Sequence, residues 1–171
     1  DTIITCDNGI AALKAISFAK KEGLTCIITD HHEVPYEECE GKKIYTLPQA
    51  DAIIDPKQED CSYPYKGICG AYVAYKLIEG MFEQFHIADT EKQELMELAG
   101  IATVCDVMDL TDENRVLVKQ TLLGLQNAKN PGMKALIQVN KLDVKTLTAY
   151  HISFIIGPCI NATGRMDTAQ I

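Results

Sequence analysis

The feature that most constrains this chain is a continuous apolar run that ends in three polar, metal-binding side chains. Residues 24–29 are unbroken and rich in β-branched side chains, which is typical of a strand buried on both faces of a sheet. Asp30, His31 and His32 follow at once. They offer the oxygen and nitrogen ligands of divalent metals, and ligands bind at the carboxyl ends of strands in open α/β sheets. A solvated loop is the alternative interpretation of this triplet.

A second acidic residue occupies the same kind of position one strand earlier. Residues 1–6 predict a strand, and Asp7 follows it in a polar turn. Apolar residues at helical spacing over residues 10–21 predict a helix that Gly23 closes. The strands of such a βαβ unit are parallel, so we expect Asp7 and Asp30 at one edge of the sheet. For Asp7 alone, a polar turn that caps the helix is the alternative.

The third candidate is Asp106, in the second half of the chain. Residues 95–104 are almost wholly apolar and small, and they predict a buried helix. A buried carboxylate in such surroundings must be paired, hydrogen-bonded, metal-bound or neutral. Capping of the helix after Leu110 is the alternative, but Thr111 and Asp112 suit that role better. We therefore expect Asp106 to be a metal ligand.

Four segments follow one another in the order of a known family's motifs. They are Thr-Cys-Asp-Asn-Gly-Ile at residues 5–10, Thr-Asp-His-His-Glu at 29–33, and the segments at 102–110 and 157–166. In these motifs the chain resembles the DHH phosphoesterase superfamily, and within it the RecJ-type single-strand exonucleases. The resemblance implies an α/β fold, in which a parallel β-sheet with flanking helices is followed by a mostly helical second half.

The resemblance also implies roles for individual residues. The implied metal ligands are Asp7, Asp30, His31 and Asp106. The implied catalytic residues are Asp30, His31 and His32, and the implied substrate-binding residues are His32, Asn161 and Arg165. The chain departs from the last motif at Cys159, which replaces the first arginine and removes a phosphate contact.

Metal-dependent phosphodiester hydrolysis suits these residue types. Two divalent ions about 3.5–4 Å apart activate water and stabilise the charge on the transferring phosphoryl group. Carboxylates and imidazoles predict Mn²⁺ or Mg²⁺ as the cofactor of a two-metal site, with histidine favouring Mn²⁺. The sequence contains no Gly-x-Ser-x-Gly elbow, no Walker loop and no dinucleotide fingerprint, which argues against those chemistries.

The second half of the chain predicts helices. Apolar residues recur at helical spacing over residues 70–85, 90–108, 111–128 and 133–139. Residues 149–156 have an ambiguous period, and the resemblance implies that they are helical. By contrast, Pro35, Gly41 and Pro48 predict that residues 33–49 form a loop bordering the site.

The domain organisation follows from the resemblance. We expect a partial DHH domain over residues 1–171, with an α/β portion at 1–56 and a mainly helical portion at 67–171. The family's first metal motif and its second, substrate-gripping domain have no counterpart in the sequence, so we expect an excised piece of a larger protein.

Charge and composition restrict the partners. The chain has 24 acidic and 16 basic residues, a net charge of −8, whereas nucleic-acid affinity depends on neutralisation of phosphates by lysine and arginine. We therefore expect the parent's other domain to grip single-stranded DNA. The seven cysteines form no Cys-x-x-Cys pair and predict reduced thiols in the cytoplasm. No apolar stretch approaches 18 residues, so we expect no membrane span.

The expected function is that of a 5′-to-3′ single-stranded-DNA exonuclease of DNA repair and recombination, carried out by the full-length parent. The polarity, and single-strand-binding protein or helicase partners, are implied by the resemblance alone. Two alternatives stay open. One is a small-substrate DHH phosphoesterase that acts on oligonucleotides or cyclic dinucleotides. The other is a non-catalytic DHH-fold binding protein, for which Cys159 is the sequence hint.

Overall fold

The computed structural model describes residues 1–88 and 92–166, with side chains described as far as residue 162. The chain divides into two compact units, Asp1–His86 and Ile87–Ile171. The predicted helix start at Thr90 lies outside the described residues. The helix over residues 70–84 belongs to the first unit together with the sheet.

The first unit is built on a three-stranded parallel sheet. The strands of this unit are β1 (Thr2–Cys6), β2 (Thr25–Thr29), β3 (Tyr36–Cys39), β4 (Lys42–Tyr45) and β5 (Ala52–Ile54). The sheet has the order β1-β2-β5, and both pairings are parallel. The helix α1 (Leu13–Lys21) connects β1 to β2, so the predicted βαβ unit and the α/β fold class are confirmed.

The central strand β2 carries the core of this sheet. Cys26 and Ile28 on β2 are fully buried, and α1 packs Ile16 and Ala19 against them. The predicted apolar run therefore becomes the best-buried strand, because it has a neighbour on each side. At the edge of the sheet, β1 leaves Ile4 57% exposed.

Residues 33–49 do not form the predicted loop, because β3 and β4 pair there as an antiparallel hairpin. Tyr36 lies opposite Tyr45, and Cys39 lies opposite Lys42. The connecting residues Glu40 and Gly41 both have positive φ, 51° and 76°, as a two-residue type I′ turn requires. The prediction was wrong because Glu-Gly is a weaker turn signal than Asn-Gly or Asp-Gly.

The remaining elements are helical, as predicted. Their bounds are α2 (Gly70–Gln84), α3 (Lys92–Cys105), α4 (Asp112–Leu125), α5 (Pro131–Val139), a 3₁₀ turn (Val144–Thr146), α6 (Ala149–His151), a π-helical turn (Ile152–Ile156) and α7 (Gly157–Met166). The region of ambiguous period is thus helical and contains a π-turn, which alters the 3.6-residue spacing locally.

In the second unit, α3 and α4 pack together over a shared apolar core. Ile101 and Val104 of α3 meet Val118 and Leu125 of α4, and Ile152 joins them fully buried.

Within the ranges that the structure describes, no helix is long and apolar enough to cross a membrane.

Replacing Ile28 by alanine should lower the free energy of unfolding by about 2–5 kcal/mol, because the change opens a cavity beneath the central strand. The matched control is Ile4→Ala on the neighbouring strand, where the exposed side chain should cost about 1 kcal/mol or less. Urea denaturation of both variants measures the difference. Equal losses would contradict the assignment of the core to β2.

Candidate metal centre

The parallel register brings three aspartates to one edge of the sheet. Cys6 pairs with Thr29, and Thr29 pairs with Ile54. Asp7, Asp30 and Asp55 directly follow these three paired residues. The backbone is fixed here as well, since the amide of Asp7 donates to the Thr29 carbonyl and that of Asp30 to the Ile54 carbonyl, each at 3.0 Å.

Three of the side chains at this edge converge. The Nε2 atom of His31 lies 3.0 Å from Oδ1 of Asp7. Asp7, His31 and His32 each offer one ligand atom, and these atoms all lie within 4.8 Å of one another. His31 is 7% exposed, while the other two face solvent. One carboxylate and two imidazoles in this arrangement fit a divalent metal ion open to an incoming ligand on one side.

The carboxylate of Asp30 organises the loop that carries these histidines. Its Oδ2 accepts from the amide of Ile10 at 2.9 Å. Its Oδ1 accepts from the amides of His31 and His32 at 2.8 and 3.3 Å, and from Nδ1 of His32 at 2.7 Å. A histidine that donates one ring N–H to a carboxylate presents its other nitrogen to a metal. Asp30 therefore orients His32 toward the cluster.

These hydrogen bonds also set the charge of Asp30. Burial alone would raise the pKa of this carboxyl group, because it is only 1% exposed. The hydrogen bonds from Ile10, from the His32 ring and from the His31 and His32 amides outweigh burial and lower the pKa below its usual value. Asp30 is consequently ionised at neutral pH, as the donating role of His32 requires.

Asp7 is held in place by its own backbone and by the first residue of α2. Its φ of 59° is left-handed, a conformation that aspartate adopts more readily than most residues. A Cβ atom at Gly70 would lie 2.5 Å from Cα of Asp7. Only glycine at this position lets α2 approach the ligand so closely.

Asp55 is the residue of this edge that the sequence analysis missed. It is 2% exposed, its Oδ1 accepts from the Lys57 amide at 2.8 Å, and its Oδ2 has no hydrogen-bond partner among the described residues. Burial, followed by the charge of Asp30, raises its pKa despite the Lys57 amide. The signal in the sequence was an aspartate directly after a short apolar strand, the same pattern that marks Asp7 and Asp30.

The other predicted site residues lie in the second unit. Asp106 follows α3 and is exposed, so the expectation that it is buried among apolar side chains was wrong. The chain leaves the helix here, with Val107 at a φ of 56°. Asn161 is exposed on α7, and the side chain of Arg165 lies outside the described residues. Metal ligation by Asp106 and substrate contacts by the other two stay predictions.

The fold and the site together define an α/β protein with a cluster of carboxylate and imidazole groups, able to hold a metal ion, at the carboxyl edge of its parallel sheet. The sequence profile described as "DHH family, N-terminal domain" matches residues 1–104. The chain belongs to this family.

Curated relatives of the chain include several RecJ proteins. The single-stranded-DNA-specific exonuclease RecJ of Salmonella typhimurium is 36% identical over 99% of this chain and 30% of its own length. The protein of the same name from Bacillus subtilis is 37% identical over 98% of this chain and 20% of its own length. The chain thus spans less than a third of either relative.

Solved structures agree with this assignment. The crystal structure of RecJ in complex with Mn²⁺ from Thermus thermophilus has a TM-score of 0.77 at 27% identity, covering 97% of this chain and 23% of that one. The crystal structure of exonuclease RecJ bound to manganese has a TM-score of 0.78 at 26% identity, covering 97% and 39%.

Gly70→Ala in the full-length protein should weaken Mn²⁺ binding at least about tenfold, because the new methyl group must push α2 or Asp7 from its place. Gly80→Ala in the same helix is the control, since a Cβ there meets nothing within 4 Å. It should leave binding unchanged and raise helix stability by up to about 1 kcal/mol. Calorimetric Mn²⁺ titration of both variants measures this, and equal affinities would refute the close approach.

Asp55→Asn should leave the metal-free chain at least as stable as wild type at pH 7. Asparagine can still accept from the Lys57 amide, while the buried charge disappears. Because the pKa of Asp55 is raised in the folded state, its ionised form lowers stability. The advantage of Asn should therefore be full at pH 7, shrink as the pH falls through this raised pKa, and vanish by about pH 4, the ordinary carboxyl value.

The control for this experiment is Asp51→Asn at the other end of β5. Asp51 has a lowered pKa, because it accepts from Lys20 and from the Cys26 amide. Asp51→Asn should therefore lower the free energy of unfolding at pH 7, whereas Asp55→Asn should not. Thermal unfolding at pH 7 and pH 4 compares the two. A clear loss for Asp55→Asn at pH 7 would mean that Oδ2 has a stabilising partner.

Proposed function

We propose that this chain is the catalytic core of a metal-dependent 5′-to-3′ single-stranded-DNA exonuclease that works in DNA repair and recombination. The observation that carries the proposal is the convergence of Asp7, His31 and His32 at the carboxyl edge of the sheet. The RecJ relatives are named single-stranded-DNA-specific exonucleases, and the substrate class and reaction type in the proposal come from these names. The 5′-to-3′ polarity and the cellular role rest on the family resemblance alone, and a cytoplasmic location rests on the cysteine pattern.

In this proposal Asp7 and His31 hold Mn²⁺ or Mg²⁺, and His32 faces the same space. A divalent pair at such a site supplies Lewis acidity and an activated water for phosphodiester hydrolysis. Asp30 acts through His32, because its Oδ1 accepts from the ring and fixes which nitrogen faces the cluster. Asp30 and Asp106 join the ligand set on the strength of the resemblance.

Substrate binding would depend on polar groups outside this cluster. Asn161 and Arg165 are proposed to contact substrate phosphate, together with His32. The excess of acidic residues, 24 against 16 basic ones, means that a further domain of the full-length protein would supply most of the grip on the single strand. Single-strand-binding proteins and helicases are the protein partners that the resemblance suggests.

One specific observation favours a second candidate, a non-catalytic DHH-fold binding protein. Cys159 stands where the family has an arginine, and its Sγ lies against the Asn140 side chain, 3.7 Å from Nδ2. A thiol in this environment provides no positive charge for a phosphate. Retention of the converging Asp7, His31 and His32 weighs more heavily for catalysis.

Asp106→Ala in the full-length protein should reduce Mn²⁺-dependent hydrolysis of single-stranded DNA at least about a hundredfold while leaving the fold intact. Loss of a residue that merely supports a ligand already costs 10–100-fold, and a ligand should cost no less. Asp109→Ala, three residues along, is the matched control and should retain activity. Nucleotide release from 5′- and 3′-labelled strands gives rate and polarity together, and circular dichroism checks the fold. Activity of Asp106→Ala within tenfold of wild type would remove Asp106 from the ligand set.

A further inference from the structure

The β3–β4 hairpin is exposed to an extent that calls for a covering partner. All eight of its strand residues are exposed, on both faces of the ribbon. They include Tyr36 at 46%, Tyr45 at 39% and Ile44 at 56% exposure. A two-stranded ribbon with neither face covered is at best marginally stable in water. Large apolar and aromatic groups on such a ribbon therefore indicate a surface that another molecule covers.

The two faces of the hairpin differ in chemistry. Tyr36 lies directly opposite Tyr45, and their rings meet edge to face with centroids 5.7 Å apart. On the same face, the ammonium group of Lys43 lies 4.1 Å from the Tyr36 ring centre. We call these three residues the tyrosine face. The opposite face presents Ile44 and Cys39.

The hairpin is anchored beside the metal centre. It begins at Tyr36, four residues beyond His32, and the buried Val34 lies between them. The amide of Thr46 donates to the Pro35 carbonyl at 2.8 Å and extends the ladder to the base of the ribbon. Four residues of extended chain span at most about 14 Å, so the start of the hairpin lies no farther than this from His32. The tyrosine face is thus within reach of a strand whose phosphate lies at the cluster.

We propose that the tyrosine face binds the nucleobases of the single strand that enters the metal centre. This inference rests on the proposed function and names how that site holds its substrate next to the scissile phosphate. Aromatic rings bind successive bases by stacking, without regard to sequence. The ammonium group of Lys43 lies over the Tyr36 ring, and this cation–π contact helps to hold the ring in place.

The charges on the hairpin indicate that bases would bind the tyrosine face by stacking rather than by electrostatic attraction of phosphates. The hairpin carries Lys42 and Lys43 but also Glu37, Glu38 and Glu40, so it has no excess of positive charge to attract a polyanion. Glu38 faces Lys43 across the ladder and offsets it. The binding contribution of the tyrosine face should therefore come from stacking and depend little on salt, unlike phosphate neutralisation.

The test compares two double variants in the full-length protein with Mn²⁺. Tyr36→Ala with Tyr45→Ala should raise KM for a single-stranded oligonucleotide about tenfold or more, since stacking on one ring alone contributes several-fold to affinity, while kcat changes little. Tyr36→Phe with Tyr45→Phe keeps the rings and should retain wild-type KM. Ile44→Ala with Cys39→Ala removes comparable side chains from the opposite face and should also retain it.

A modified substrate isolates the stacking itself. On a strand whose first five residues are abasic, wild type and the tyrosine-to-alanine variant should have the same KM, because there are no bases to stack. A tyrosine-to-alanine KM equal to that of the Ile44/Cys39 control on the normal strand would overturn the proposal. A second result would also overturn it: the tyrosine-to-alanine variant loses self-association in gel filtration while its KM stays unchanged. The covering partner would then be a second copy of the chain.

Failure of the proposed nuclease function can be distinguished from failure of the tyrosine-face proposal. A wild-type protein with no Mn²⁺-dependent hydrolysis would contradict the nuclease assignment itself. Fluorescence anisotropy of a labelled single strand then still tests the tyrosine face in the absence of turnover. Wild type should bind more tightly than the tyrosine-to-alanine variant, and equal affinity would overturn the proposal.

Discussion

The parallel pairing of β1, β2 and β5 is the constraint on which the metal centre depends. Parallel strands end at a common edge, so the residues that follow Cys6, Thr29 and Ile54 are brought together by backbone register alone. The same edge is closed by hydrogen bonds, which the amide of Asp7 donates to the Thr29 carbonyl and the amide of Asp30 to the Ile54 carbonyl. Ligand placement is therefore part of the sheet's own hydrogen bonding, and the site cannot be displaced without breaking the ladder.

Within this frame the three aspartates have different environments. Asp7 is exposed and lies beside His31, where it can bind a cation. Asp30 accepts hydrogen bonds on both of its oxygens and orients the loop that carries the histidines. Asp55 is buried with one oxygen that no described group satisfies. The three aspartates have the same side chain but different roles, because burial and hydrogen bonding differ from one strand to the next. These two factors decide whether a carboxylate can bind a cation, orient a neighbouring ligand or carry an unfavourable buried charge.

The sequence predicted the features that depend on local pattern and chirality. The apolar run before Asp30 and the helical spacing between the first two strands were enough to place Asp7 and Asp30 at one edge, since the crossover has a fixed hand. Features set by tertiary contact were not predictable. The burial of Asp55 depends on neighbours distant in the chain, and the exposure of Asp106 depends on where the chain turns away from α3. The hairpin was missed because Glu40-Gly41 is an uncommon turn pair and charged residues mask its alternation.

The exposed strand β1 has a consequence for handling this chain. Among the described residues β1 pairs on one side only, with β2, and it presents Ile3 and Ile4 partly to solvent. Its sequence, Thr-Ile-Ile-Thr-Cys, has no charge and no proline to block a new neighbour. Open, apolar strand edges recruit other strands. A solution of this chain by itself should therefore be prone to edge-to-edge assembly, with the oligomers growing through the same backbone hydrogen bonds that build its sheet.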